Sequence, residues 1–272
     1  MLRVAVLVAM IAALAAASVV AWFDERGRPA VVRHRVVAAI AARHPGATGA
    51  EVAPGWLRVA MPSGTAIDVA VDAAYARCRQ RWSRCDPAMS ALADDVDAVQ
   101  AAIAKPEAAN VEAIVVAEAA TSASAGYVSR ALLGSLEARY AIVRGAAMAF
   151  LTSAAADSMG ATRAQLAERA LGNLQKRPPP RVVSIGDGLY RVVDVGEASS
   201  NLISASRLEA IARQVGATPL VCGIPLRGRL LVSRPDADAQ AALAAVLARG
   251  SHETPNDPAR AGIFACDVAT RG

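Results

Sequence analysis

Residues Arg181–Val232 read RVVSIGDGLYRVVDVGEASSNLISASRLEAIARQVGATPLVCGIPLRGRLLV, and this stretch decides the fold. Two β-branched runs, Val182–Ile185 and Leu189–Val193, flank Gly186-Asp187-Gly188. Glycine and aspartate tolerate the positive φ that tight turns demand, so the spacing predicts a β-hairpin. Ser206-Arg207-Leu208-Glu209 has the spacing of a capping box, in which the serine and glutamate side chains satisfy free amides at a helix start. The helix so predicted carries Leu208, Ile211, Ala212 and Val215 on one face. Gly216 follows where a left-handed cap belongs. Leu220–Cys222 and Leu230–Val232 read as short buried strands on either side of a Pro225–Gly228 turn. Hairpin-linked strands with a helix between them predict an α+β fold, with antiparallel sheets and packed helices.

The polar residues of this stretch are harder to place. Glu197 and Arg227 both lie at turns flanking the same helix. They predict an ion pair that fixes the loop, with a carboxylate–guanidinium ligand site as the rival reading. Glu197, Ser199 and Arg227 thus form the candidate ligand-binding or structural polar cluster.

Three segments carry a family resemblance. Gly196-Glu197-Ala198-Ser199-Ser200-Asn201-Leu202 is similar to a G-x-x-E-A-S-x-L element, with the spacing of the glycine and leucine slightly shifted. Pro225, Arg227, Leu230 and Leu231 match P-x-R-x-x-L-L on a strand, and Ala170–Leu174 matches a helix ending A-x-x-N-L. In this the chain resembles the carboxy-terminal part of the YtpQ family of bacterial proteins, over about Val31 to Phe264. The resemblance implies no activity, cofactor or catalytic residue.

Outward toward the amino terminus, Thr162-x-x-Gln165 is a second capping box, opening a helix lined by Leu166, Ala170 and Leu174. Pro178-Pro179-Pro180 ends it. Tyr140–Val143 and Ala147–Leu151 around Arg144-Gly145 predict another hairpin, Val128–Leu136 a helix, and Val111–Val116 a strand. Met89, Leu92, Val96, Val99 and Ile103 recur at helical spacing after Asp86-Pro87. Tyr75, Cys78 and Trp82 form the apolar stripe of a shorter helix before it. Alternating Leu57, Val59, Met61 and Ile67, Val69, Val71 predict strands, with Glu51–Ala53 a third. Val31–His44 predicts a helix stopped by Pro45. Residues 30–105 thus read as a small α-β-β-β-α-α subdomain and 106–272 as an α+β subdomain, with the boundary at Lys105-Pro106-Glu107. Toward the carboxy terminus, a helix with Leu243, Val246 and Leu247 inward ends at Gly250, and Gly262-Ile263-Phe264 is a last edge strand.

Met1-Leu2-Arg3 is a short basic start, Val4–Leu14 is 11 apolar residues, and Ala15-Ala16-Ala17 and Val19-Val20-Ala21 offer small-residue cleavage sites. This is the order of a signal peptide. The rival is an uncleaved anchor, since Val4–Phe23 runs 20 residues without a charge. Residues 1–23 therefore predict a signal peptide or membrane anchor, and a periplasmic or membrane-anchored protein of a bacterial envelope.

The chain has 272 residues and a net charge of +5, with 27 of its 29 basic residues arginine. The arginines are scattered and aromatic residues are 4%, so neither a basic stripe nor stacking platforms for nucleic acid are present. His34, His44 and His252 lack metal-ligand spacing, and C-x-x-C and H-E-x-x-H are absent. No phosphate-binding glycine loop joins a strand to a helix. No cofactor or metal is expected. The G-x-S-x-G elbow is missing too.

Four cysteines remain. On one straight helix Cys78 and Cys85 would stand about 10.5 Å apart, beyond the roughly 7 Å a disulfide spans. Asp86-Pro87 disfavours a helix just before it, so the chain can fold Cys85 back onto Cys78. A Cys78–Cys85 disulfide is therefore predicted, while Cys222 and Cys266 are read as separate, with a second bridge left open. Function is read as a non-enzymatic envelope protein that binds or supports an unknown protein or envelope partner, or the membrane if residues 1–23 are retained. The alternative is a small hydrolase using Ser199 or Ser200, with His252, near Glu197 and Arg227.

Overall fold

The computed structural model describes residues 29–53, 55–80, 84–104, 111–117, 126–132, 136–195, 197–225, 228–253 and 261–266. The fold is α+β, built of antiparallel sheets with helices packed on them. The chain divides into two compact units. The first holds the described residues up to Glu51, Gly55–Ala98 and Gly145–Ala147, and the second holds Val52–Pro54, Val99–Arg144 and the chain from Met148.

In the first unit, helix α1 (Pro29–Arg43) buries Val32, Val36 and Ile40, the spacing read from the sequence. Strands β1 (Thr48–Ala53), β2 (Trp56–Ala60) and β3 (Ala66–Ala70) lie in that order. β1 begins three residues earlier than its sequence pattern suggests, because its first four residues are exposed and carry no apolar alternation. On β2 and β3, Leu57 pairs with Val69 and Val59 with Ile67, and all four are buried. Helix α2 (Asp72–Gln80) buries Ala74 and Cys78, while Tyr75 is half-buried; Trp82 lies outside the described residues. Helix α3 (Cys85–Ala104) opens at Cys85 rather than at Pro87, with Asp86 already in its first turn. Met89, Leu92, Val96 and Val99 are buried along it.

In the second unit, strands β4 (Val111–Ala117), β6 (Leu136–Arg144) and β7 (Ala147–Phe150) run in the order β7-β6-β4, and β5 (Ser129–Ala131) pairs with β6. The helix predicted over Val128–Leu136 is thus overturned. Ser129 pairs with Arg139 and Ala131 with Glu137, and the Val128 amide bonds to the Leu151 carbonyl. Long-range pairing outweighs the helical propensity of this alanine- and leucine-containing segment. Helices α4 (Ser153–Ser158) and α5 (Arg163–Gln175) follow. The Thr162–Gln165 capping box is complete, with both reciprocal bonds made. One face of this sheet, with Val111, Ala113, Ala138, Tyr140 and Ile142, shares an apolar cluster with Leu166 and Ala170 of α5.

The remainder is a five-stranded sheet, ordered β12-β10-β11-β9-β8. It comprises β8 (Arg181–Gly186), β9 (Leu189–Val193), β10 (Leu220–Ile224), β11 (Leu230–Ser233) and β12 (Ala261–Cys266). The β8–β9 hairpin turns through Gly186-Asp187-Gly188, all three at positive φ. A 3-10 helix, η1 (Ala198–Ile203), and helix α6 (Ala205–Val215) separate β9 from β10. Leu208, Ile211, Ala212 and Val215 of α6 are buried and Gly216 closes it at φ 73°. The predicted Ser206 capping box is not formed. The helix already starts at Ala205, its cap is Ser204, and no cap side-chain bond is made. Helix α7 (Ala237–Glu253) covers the opposite face, where Leu243 and Leu247 meet Leu189, Val221 and Leu231. It runs past Gly250, where the sequence suggested an end.

Both cysteine pairs are at disulfide distance. Cys78 and Cys85 stand on separate helices with Cα atoms 4.4 Å apart. Cys222 and Cys266, read from sequence as separate, are joined as well, with Cα atoms 5.9 Å apart. Adjacency of β10 and β12 brings them together, since Leu220 pairs with Cys266 and Cys222 with Phe264. Only strand order, which no local pattern encodes, makes that pair. The second bond ties an edge strand to the sheet.

Candidate functional site

The polar stretch between β9 and α6 folds inward. Ser199 and Asn201 are fully buried, Ser200 is 2% exposed and Arg207 6%. Arg207 is the hub. Its Nε donates to Asn201 Oδ1 at 2.5 Å, and one terminal nitrogen donates to the Leu174 and Arg177 carbonyls at 3.1 and 3.2 Å. The other donates to the Pro178 carbonyl at 2.9 Å and to Asp194 Oδ2 at 2.8 Å. These bonds engage every nitrogen of the guanidinium. They also place a cation at the carboxy-terminal end of α5, where the helix dipole favours one.

Asn201 completes the group. Its amide nitrogen donates to Asp194 Oδ2 at 2.9 Å and to the Ala198 carbonyl at 2.8 Å. The Asp194 side chain is only 1% exposed, so the Arg207–Asp194 pair is a buried ion pair with its remaining hydrogen-bonding capacity largely filled. Sequence reading overlooked Asp194, Asn201 and Arg207 as a set. One signal was present: Arg207 falls in the helical repeat 207, 211, 215, on the face that should be apolar.

The same stretch covers the end of the other sheet in this unit. β4 is last in its strand order. Ser200 Oγ donates to the Ala113 carbonyl at 2.6 Å, and Asn173 Nδ2 donates to the Val111 carbonyl at 2.9 Å. An uncovered strand edge leaves backbone acceptors open, and here side chains fill two of them. Glu112 of β4 pairs with Arg177, both largely buried. Arg177 is the residue whose carbonyl Arg207 also holds. The polar cluster therefore joins β4, α5, the end of β9, η1 and α6 through one set of bonds.

The candidate residues fall out as follows. Glu197 caps η1 and its carboxylate lies against Gly228, where an added Cβ would collide with it. The adjacent Ala198 amide bonds to the Gly228 carbonyl at 3.2 Å. Arg227 lies outside the described residues, as does Gly196. Ser199 is fully buried, and its hydroxyl makes no hydrogen bond among the described residues. Ser200 is committed to Ala113. The His252 side chain lies outside the description.

Where α1 meets α3, polar groups pair near the surface. His44 Nε2 is 2.6 Å from Asp97 Oδ1, and Arg43 reaches Asp97 Oδ2 at 2.8 Å and Asp94 at 2.5 Å. Burial raises the Asp97 carboxyl pKa, but the bonds from His44 and Arg43 outweigh it and leave the group below its ordinary value. Among the described residues no three histidine, cysteine, aspartate or glutamate side chains gather as metal ligands. No helix among them is long and apolar enough to cross a membrane. No family model, curated protein or solved structure matches the chain.

Proposed function

We propose that this is a non-enzymatic protein of the bacterial envelope, of the YtpQ type, that works by binding a partner. The observation that carries the reading is the fate of the polar stretch Asp194–Arg207. The side chains of Asp194, Ser200, Asn201 and Arg207 turn into the unit, and their bonds go to backbone carbonyls and to one another. Chemistry on a substrate needs an exposed reactive group. The hydrolase alternative needs Ser199 or Ser200 free to attack, and both are buried. The three segments that carry the YtpQ resemblance contribute Asn173, Ser200 and the strand β11 to the same unit, which supports a shared architectural role.

The disulfide-bonded cysteines suggest an oxidising, extracellular environment. With the apolar segment Val4–Phe23, they support a periplasmic or membrane-anchored location. A phosphatase fused after Gly126 should be active, because that reporter matures only after export. An inactive phosphatase fusion beside a maturing cytoplasmic fluorescent fusion would refute the location. A fluorophosphonate probe tests the chemistry: the native protein should remain unlabelled at Ser199 and Ser200. Labelling of either serine would restore the hydrolase.

A further inference from the structure

We propose that the Cys78–Cys85 disulfide is a redox-active pair that exchanges with external dithiols, with Cys85 as the leaving thiolate, while the Cys222–Cys266 disulfide is inert. The two bonds sit in opposite surroundings. Cys222 and Cys266 belong to an apolar cluster with Leu208, Ile211, Leu220 and Val232. These side chains offer a thiolate no cation, and apolar burial holds a cysteine in its neutral form. At Cys85 the chemistry is reversed. Arg35 of α1 directs one terminal nitrogen at Cys85 Sγ, 3.6 Å away, and the other at Asp86. Cys85 is also the first residue of α3, a helix of 20 residues, whose free amides and dipole favour negative charge.

The charges around this pair are mostly positive. Arg77 and Arg79 flank Cys78 on α2, and Arg84 precedes Cys85. All three are exposed, and none forms an ion pair among the described residues. Two acids oppose them: Asp86 beside Arg35, with its side chain 79% exposed, and Asp72 in the first turn of α2. Water solvates most of the Asp86 charge, so the Arg35 guanidinium keeps a net pull on the sulfur. Access comes from α2. Cys78 is 3% exposed and Cys85 fully buried, so the bond is reached when the helix frays. Cys78 stands close to the end of a helix of 9 residues, Asp72–Gln80. The last turn of a short helix is among the first parts of a fold to open.

A thiolate of the external dithiol attacks Cys78 Sγ and forms a mixed disulfide there. The Cys78–Cys85 bond breaks, and its electron pair leaves on Cys85 Sγ, held by Arg35 and the start of α3. The second thiol of the dithiol, once deprotonated, attacks its own sulfur in the mixed disulfide. Cys78 is released as a thiolate and takes up that proton. Two electrons thus pass from the dithiol, which becomes a disulfide, to the cysteine pair. A sulfur whose anion is stabilised leaves faster, which directs attack to Cys78. The exchange is stoichiometric, goes beyond the binding reading above and does not depend on it.

Timed reduction of the full chain in mild detergent tests it. Dithiothreitol serves as the dithiol, iodoacetamide as the trap and peptide mass spectrometry as the readout, with circular dichroism to follow the fold. Cys78 and Cys85 should become alkylated roughly tenfold faster than Cys222 and Cys266, or more. Arg35→Met should slow that opening, and Arg35→Lys should keep most of the native rate, because it keeps a cation beside the sulfur. Glutathione, a monothiol, quenched early with acid, should be found on Cys78. Two bonds that open at one rate, a Cys222–Cys266 bond that opens first, or opening only on unfolding overturns the proposal. So does glutathione found on Cys85, or a folded Arg35→Met chain that opens as fast as the native one. The rate ratio and the adduct position come from the native chain, so they decide the matter even where Arg35→Met disturbs the fold.

Discussion

The two units use arginine and aspartate in opposite ways. In the first, Arg33, Arg35 and Arg43 on α1 reach Glu51, Asp86, Asp94 and Asp97, with arginine side chains 28–34% exposed and acid partners 41–79% exposed. In the second, Arg207 and Asp194 are 7% and 1% exposed. The first unit has one intermediate case, Arg58 holding the buried Asp68 through two bonds of 2.7 and 2.9 Å. Exposed pairs sit in high dielectric and contribute about 0–1 kcal/mol. A buried pair gives no such margin, because removing one partner strands the other charge in a poorly solvated place, at a cost of about 3–5 kcal/mol. The comparison teaches that residue type and spacing on a helix do not set the weight of an ion pair; its depth does.

The largest way to break the contrast is Arg207→Ala. It should lower unfolding stability by about 3–5 kcal/mol in urea, because Asp194 is left buried and the Leu174, Arg177 and Pro178 carbonyls each lose the bond from Arg207. A smaller loss, about 1–3 kcal/mol, is expected for Ser200→Ala, which leaves the Ala113 carbonyl without that donor. Arg43→Ala should cost less than either, and less again in high salt. The least effect is a pH dependence. The Asp97 carboxyl is held below its ordinary value in the fold, so its contribution is full above the unfolded-state pKa of about 3.9 and is lost as pH falls through the folded value. The stability gap between the native chain and Asp97→Asn should therefore close on acidification below that range, as acid titrations at fixed urea would show.

Much of this architecture was legible because it rests on local chemistry. Gly186-Asp187-Gly188 marks a turn wherever it occurs, and the stripe Leu208, Ile211, Ala212, Val215 has only one way to be buried on a helix. The Thr162–Gln165 box closes as spaced. The Ser206 box fails although its spacing is as good, because Arg207 is drawn into the unit and α6 starts before it. Val128–Leu136 was misread because its strand identity comes from β6 and the Leu151 carbonyl, both reached only in three dimensions. The polar cluster was half legible. Glu197 and Ser199 stood out as residues without a job, yet the residues that organise the region are Arg207, Asn201 and Asp194. Burial of a charged side chain depends on what packs around it, and sequence spacing records that only as an arginine in an apolar repeat.

A pair of double-mutant cycles tests the central claim, that the Asp194–Arg207 stretch is an internal brace. One cycle removes Arg207 and Asp194 singly and together, the other Arg43 and Asp97, each read by urea unfolding. The coupling energy of the buried pair should clearly exceed that of Arg43 and Asp97. Equal couplings, or a buried pair whose removal leaves stability unchanged, would contradict it.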